Sequence, residues 1–273
     1  MRKIVSILIV ALVSSMSIQS AMAWGSYAHG AIAYVAEQHL TPKAKEECRR
    51  YLKHTLPYYA SWMDHWRAVP PFHPTNDWHG FTAGADGNID WSVNEGKAMG
   101  QLKKIMKEMG NGNYLNLPDS LVRHHLLILV HSVPDMHCPV HVGGILRLHP
   151  ELRYNLTYKG KPHRMHAFWD RSPGFTRGGK IVKSSTGWLF EKYAAEVDNI
   201  TPKQARKIVK KGNLDYWGRD IVKQAYRSYT ITPKDTDIAK LTAEQKAAVL
   251  ALSDEMAMKS AYRLAYVLNE IFK

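Results

Sequence analysis

Residues 119 to 142 read DSLVRHHLLILVHSVPDMHCPVHV. Pro118, Asp119 and Ser120 give a helix start, and Leu121, Leu126, Leu129 and Val130 follow with the apolar density of a helix central to an all-α domain. His131 and Asp135 stand four residues apart, so both project from one face a single turn apart. Beyond Pro139, where the helix must break, His141 is free to swing towards a neighbouring group rather than lie a further turn away.

Working outward, helical periodicity recurs on both sides. Ala28, Ile32, Val35 and Ala36 form one stripe between Tyr27 and Leu40. Thr41 then reads as an N-cap, with Pro42 at the first position of a second helix running to about Leu52. Met99, Leu102, Ile105, Met106 and Met109 repeat the pattern before Gly110, and Thr242 with Gln245 forms a capping box ahead of a long amphipathic C-terminal helix. Two stretches break the rhythm. Residues 57 to 91 are rich in Pro, Gly and aromatics and read as loop, and between Val142 and Pro162 the alternation from Leu152 to Tyr158 predicts a small β-hairpin. Lys203, Arg206, Lys207, Lys210 and Lys211 lie on a predicted short helix as a solvated basic face.

The first 23 residues have another role. Arg2 and Lys3 precede an apolar run from Ile4 to about Val13, and Ala21-Met22-Ala23 supplies the small residues a signal peptidase requires, so residues 1–23 read as a secretory signal and 24–273 as one catalytic domain. Export to the periplasm or the medium follows. No later run is long and apolar enough for membrane insertion, and a monomer is expected. The 273 residues are 45% hydrophobic and 22% charged with a net charge of +13, which excludes an acidic disordered chain and suits a polyanionic partner. Cys48 and Cys138 are too few for a disulfide framework, though one bridge between them is open.

A second chelating pair appears at His166 and Asp170, again four residues apart, in a chain with 14 histidines. Mixed imidazole and carboxylate sets of this kind suit zinc. Cleavage after Ala23 would make Trp24 the first residue. Its free amine, with an ordinary pKa near about 7.7, and its carbonyl oxygen can then close a five-membered chelate on a metal, with His29 close behind.

The chain resembles the S1/P1 nuclease family. The resemblance is carried by Trp24-Gly25 with His29, Ser61-Trp62-Met63-Asp64, His79, Leu129-Val130-His131, Asp135-Met136-His137, Pro139-Val140-His141, His166 with Trp169-Asp170, and Tyr262-Arg263-Leu264-Ala265 with Leu268-Asn269-Glu270-Ile271. It implies a single-domain, all-α, phospholipase C/P1 nuclease-like fold and three Zn2+ per chain. Asp64, His79, His131 and Asp135 would hold one zinc, with Asp135 bridging to a second held by Trp24 and His29. His141, His166 and Asp170 would hold the third. The implied activity is hydrolysis of single-stranded DNA and RNA, or of nucleotides at the 3' position, by zinc-activated water. The products would carry 5'-phosphates, Asp64 would act in catalysis, and Arg67 would offset charge on the phosphoryl oxygens.

The sequence departs from the family beside His79. Family members place an aromatic directly after that position and an aspartate three residues after it, whereas here the run is His79-Gly80-Phe81-Thr82; Phe81, Trp78 and Tyr27 are open to stacking a base, with packing the first reading of each. Cys138 stands where the family has Gln and is open to weak metal ligation, pairing with Cys48 or packing, with packing as its first reading. Two rivals remain. A phospholipase C-like phosphodiesterase is disfavoured by the short step from Trp24 to His29 and by Asp170 in place of Glu, and a noncatalytic zinc or nucleic-acid binder would keep the ligands and lose turnover.

Overall fold

The computed structural model describes residues 24–67, 69–70, 72–173 and 189–273. The predicted secretory signal therefore lies outside the described residues. The longer elements are helices: α1 (Ser26–Gln38), α2 (Pro42–Leu52), α3 (Leu56–Tyr59), α4 (Trp62–Trp66), α5 (Trp91–Asn94), α6 (Ala98–Met109), α7 (Asp119–Met136), α8 (Ile145–Leu148), α9 (Met165–Trp169), α10 (Phe190–Val197), α11 (Pro202–Val209), α12 (Leu214–Ile231) and α13 (Ala243–Ile271). Strands are short. β1 (Phe81–Thr82) pairs in parallel with β2 (Val142–Gly143), and β3 (Asn155–Tyr158) forms an antiparallel hairpin with β4 (Lys161–Arg164). This is the expected all-α fold with one small hairpin.

Local chemistry explains the boundaries. Thr41 caps α2 by accepting from the Ala44 N–H, and Thr242 and Gln245 exchange both hydrogen bonds of the capping box at the start of α13. The hairpin lies slightly later than the alternating residues suggest. Lys159 and Gly160 both have positive φ, at 51° and 75°, which is the turn geometry that joins β3 to β4. The stretch read as loop between residues 57 and 91 is instead broken into α3, α4, a 3-10 turn over His73–His79, and β1.

Helices α1 and α7 run through the core, with α1 packed on α13, α3, α10 and α7, and α7 on α13, α6 and α2. Ala28, Ala31, Ile32, Val35, Leu126, Leu129 and Val133 are buried along them. Two features then position the functional residues. Trp24, wholly buried, donates its indole N–H to the Pro134 carbonyl at 2.8 Å, and Gly25 N–H donates to the Asp170 carbonyl at 2.7 Å. The β1–β2 pairing aligns Phe81 with Val142, so it brings the segment after His79 alongside the one after His141. No described helix is long and apolar enough to cross a membrane.

Candidate metal centre

Seven of the predicted ligands meet in the interior at the C-terminal end of α7. Helix α1 supplies His29, α4 supplies Asp64, the 3-10 turn ends on His79, α7 supplies His131 and Asp135, His141 precedes β2, and Asp170 caps α9. All seven are buried. His166, on α9, sits at the margin with its side chain 36% exposed.

Asp135 is the hub. Its Oδ1 lies 3.0 Å from His29 Nε2, and its Oδ2 lies 2.6 Å from His79 Nδ1 and 3.1 Å from His131 Nε2. The His29 and His131 rings stack at 4.2 Å. Asp64 stands 4.0 Å from His79 Nδ1, and Arg67 reaches to 3.7 Å from the same Asp64 oxygen. Around Asp170, His141 Nε2 lies 3.2 Å from Oδ1 and His166 Nδ1 lies 3.1 Å from Oδ2, with the two imidazoles stacked at 4.7 Å. The two His and Asp pairs read from spacing therefore meet through His141, which is also 4.0 Å from Asp135.

Backbone carbonyls fix the imidazoles. His131 Nδ1–H donates to the Ala60 carbonyl at 2.7 Å, which leaves the Nε2 lone pair aimed at Asp135 and His79. His141 Nδ1–H donates to the His79 carbonyl at 3.0 Å and leaves its Nε2 facing Asp170. Such outer contacts are what orient imidazoles around a metal.

The residues fit a metal on a direct test of their polar atoms. Both ring nitrogens of His29, both carboxylate oxygens of Asp64, His79 Nε2, Asp135 Oδ1, His141 Nε2 and Asp170 Oδ2 are buried with no hydrogen-bond partner. Lone pairs facing one another in the interior are costly unless a cation sits between them. Three groups have donor atoms within 4.8 Å of one another: His29, His131 and Asp135; Asp64, His79 and His131; and Cys138, His141 and Asp170. The electrostatics agree. Burial opposes charge on Asp135, yet His131 and His29 hold its pKa well below the usual carboxylate value. Burial likewise opposes charge on His141, yet Cys138, Asp170 and Asp135 push its pKa well above that of a free imidazole.

Outside the buried cluster, a cavity of about 310 Å³ is lined by residues that include Arg67, His79, Gly80, His141, Gly144 and His166. Reactants thus have an approach from the side on which Arg67 and His166 are presented.

A profile of the S1/P1 Nuclease family matches residues 24–273. The chain belongs to the S1/P1 nuclease family. Among curated proteins it is similar to Nuclease P1 of Penicillium citrinum and Nuclease PA3 of Penicillium sp, each 25% identical over 180 residues. Each match covers 60% of this chain and 64% of the relative, so the chain spans less than two thirds of the length of these relatives.

Membership in the S1/P1 nuclease family sharpens three local findings. Phe81 and Tyr27 are buried, at 1% and 6% exposure, and Trp78 packs against the core, so these rings pack, as their first reading has it, rather than stand free to stack a base. Cys48 and Cys138 are free thiols, each buried, and the open bridge between them does not form. Burial pushes the Cys138 thiol up to about 12. Cys138 packs in the core, as its first reading has it, and its Sγ in addition donates to Asp170 Oδ1 at 3.3 Å. No local signal marked that contact, because Asp170 is distant in sequence. His137 does turn away from the ligands, as its place on the helix predicts. Its Nδ1 donates to the Val133 carbonyl and its Nε2 accepts from Arg263 at 2.9 Å.

Proposed function

We propose that this protein is a zinc-dependent phosphodiesterase that cuts single-stranded DNA and RNA, leaving 5'-phosphate ends, and that it also removes 3'-phosphates from nucleotides. The observation that carries this reading is the set of buried, unpartnered imidazole and carboxylate atoms around Asp135 and Asp170, opening on a cavity edged by Arg67. Family membership supplies the substrate class.

Three zinc ions would fit these residues. Asp64, His79, His131 and Asp135 would hold one, Trp24 and His29 together with Asp135 would hold the next, and His141, His166 and Asp170 would hold the third. Zinc in such a site supplies Lewis acidity towards a phosphoryl oxygen and makes water acidic enough to serve as a nucleophile near neutral pH.

The chain's own residues do the rest. Ala60 and His79 carbonyls lock His131 and His141 in the tautomers that present Nε2 inward. Arg67, held beside Asp64 with its side chain 20% exposed, projects its guanidinium to the cavity, where its planar fork suits phosphoryl oxygens. Trp66, next to Arg67 in sequence, 45% exposed and edge-on to Phe72 at 5.8 Å, is the candidate for stacking a base where the aromatic after His79 is missing. A stacked base must leave its duplex, and this gives single strands the preference.

The free amine of Trp24 requires that the predicted signal be removed after Ala23. The buried indole anchored to Pro134, and Gly25 anchored to Asp170, support Trp24 as the first residue of the working enzyme. Cleavage assays on single-stranded DNA and RNA, with and without a chelator and with the product ends identified, test the whole reading. Chelator-sensitive cutting to 5'-phosphates is expected; stoichiometric metal with no turnover on any phosphoester would favour a noncatalytic binder instead.

A further inference from the structure

Cys138 is wholly buried, and its sulfur is placed by two successive turns: Cys138 N–H donates to the Asp135 carbonyl at 2.9 Å, and His141 N–H donates to the Cys138 carbonyl at 3.0 Å. The thiol contacts Asp170 Oδ1 at 3.3 Å, and Sγ, an imidazole nitrogen of His141 and a carboxylate oxygen of Asp170 lie within 4.8 Å of one another. Beside them, His141 Nε2 and Asp170 Oδ2 are buried without a hydrogen-bond partner. A thiol that merely donates to Asp170 leaves both of those atoms unsatisfied. A single cation among sulfur, nitrogen and oxygen satisfies all three side chains at once. Cys48 belongs to no such group among the described residues.

We infer that Cys138 is itself a ligand of the third metal, binding as a thiolate together with His141 and Asp170 and giving that position a mixed sulfur, nitrogen and oxygen set. The inference rests on the proposed reading of the clusters as metal sites and adds a residue outside the ligand set that the family resemblance implies. On binding, the S–H proton leaves to solvent and one sulfur–metal bond forms, with no change in oxidation state. Because a thiolate is softer than imidazole or carboxylate, the third position should hold zinc more tightly than an otherwise equal set without sulfur. His166, partly exposed on the cavity wall with its Nδ1 3.1 Å from Asp170 Oδ2, remains the fourth donor of that position beside three buried ones.

The test uses full-length protein beginning at Trp24, stripped of metal and titrated with cobalt(II). An intense near-ultraviolet thiolate-to-cobalt charge-transfer band is expected as the third metal enters, absent from Cys138→Ser and retained in Cys48→Ser. The Cys138→Ser protein should bind one of its metals at least about tenfold more weakly, in line with the loss of an oriented group at a metal site. X-ray absorption of the zinc-loaded wild type does not depend on any variant folding, and should show a sulfur scatterer at about 2.3 Å. Three metals bound with only nitrogen and oxygen scatterers and no charge-transfer band would overturn the Cys138 assignment while leaving the metal reading intact. Failure to bind metal at all would overturn both.

Discussion

Asp135 accepts from His79 and stands within about a hydrogen-bond length of His29 and His131, so one carboxylate organises two of the three donor groups. Asp135→Asn keeps the size and removes the charge. Metal analysis of this variant should show loss of two ions per chain, and phosphodiester hydrolysis should fall by at least about 100-fold, the upper range for disturbing groups around a metal. Retention of both ions would contradict its bridging role. Arg67 differs in kind, since it lines the cavity and its guanidinium lies 3.7 Å from Asp64 without belonging to a donor group. Arg67→Ala should leave metal content unchanged and lower kcat by about 100- to 1,000-fold, the cost of removing a donor that meets developing charge. A change confined to KM would reassign Arg67 to ground-state binding. The sequence made these residues legible to different degrees. His131 and Asp135, like His166 and Asp170, announce themselves by spacing on a helix. Asp64 and His79 each stand alone in a Pro- and aromatic-rich segment, and only the family resemblance singled them out. Cys138 packs as its burial implies, while its contact with Asp170 is not legible in the sequence because that residue arrives from another element.

At the scale of elements, the pairing of β1 with β2 sets the distance between His79 and His141, and Gly80 makes it possible. A Cβ at Gly80 would collide with the His141 carbonyl oxygen. Gly80→Ala should therefore displace His141 and lower third-metal occupancy, measured by metal content, with the overall helical signal preserved. A second device lies on the outer side of α7. Arg263 of α13, fully buried, bonds His137 on one side and Asp220 of α12 on the other at 2.6 Å, with its guanidinium over the Trp217 ring. Removing one partner of a buried pair leaves the other uncompensated, so Arg263→Leu should cost about 3–5 kcal/mol in urea unfolding. Asp220 adds a pH dependence. Burial raises its pKa, but Arg263 and Lys259 outweigh this and hold it below the usual value. Its contribution to stability is therefore complete above the unfolded carboxyl value of about 3.9 and is lost as pH falls through the lower folded value. Unfolding free energies measured from pH 6 to pH 2 should show that acid loss in the wild type and a shallower one in Asp220→Asn. Helices α1, α2, α6, α7 and α13 were legible because their cores repeat with helical period, whereas β1 and β2 are two residues each and exist only through a pairing distant in sequence.

For the molecule as a whole, the account joins the predicted maturation to the chemistry. Trp24 is buried beside Pro134, and its neighbour Gly25 bonds Asp170, so the segment that would carry the new N-terminus lies between the Asp135 and Asp170 groups. A Met or tag left before Trp24 should therefore remove one zinc and most activity, whereas a tag after the exposed Lys273 should change neither. Equal zinc in both proteins would refute the N-terminal chelate. Trp66 belongs at this scale too, as the proposed stand-in for a base clamp that the run after His79 lacks. Trp66→Ala should raise KM for single-stranded oligonucleotides by about tenfold, the low end of one stacking contact, with metal content unchanged. The most direct test of the central claim is to count metal and measure single-strand cleavage on the same untagged protein beginning at Trp24, before and after chelation. Three zinc ions per chain are expected, with cutting to 5'-phosphate ends that stops when zinc is removed and returns when it is restored. Undiminished cutting by the metal-free chain would contradict the zinc-dependent mechanism.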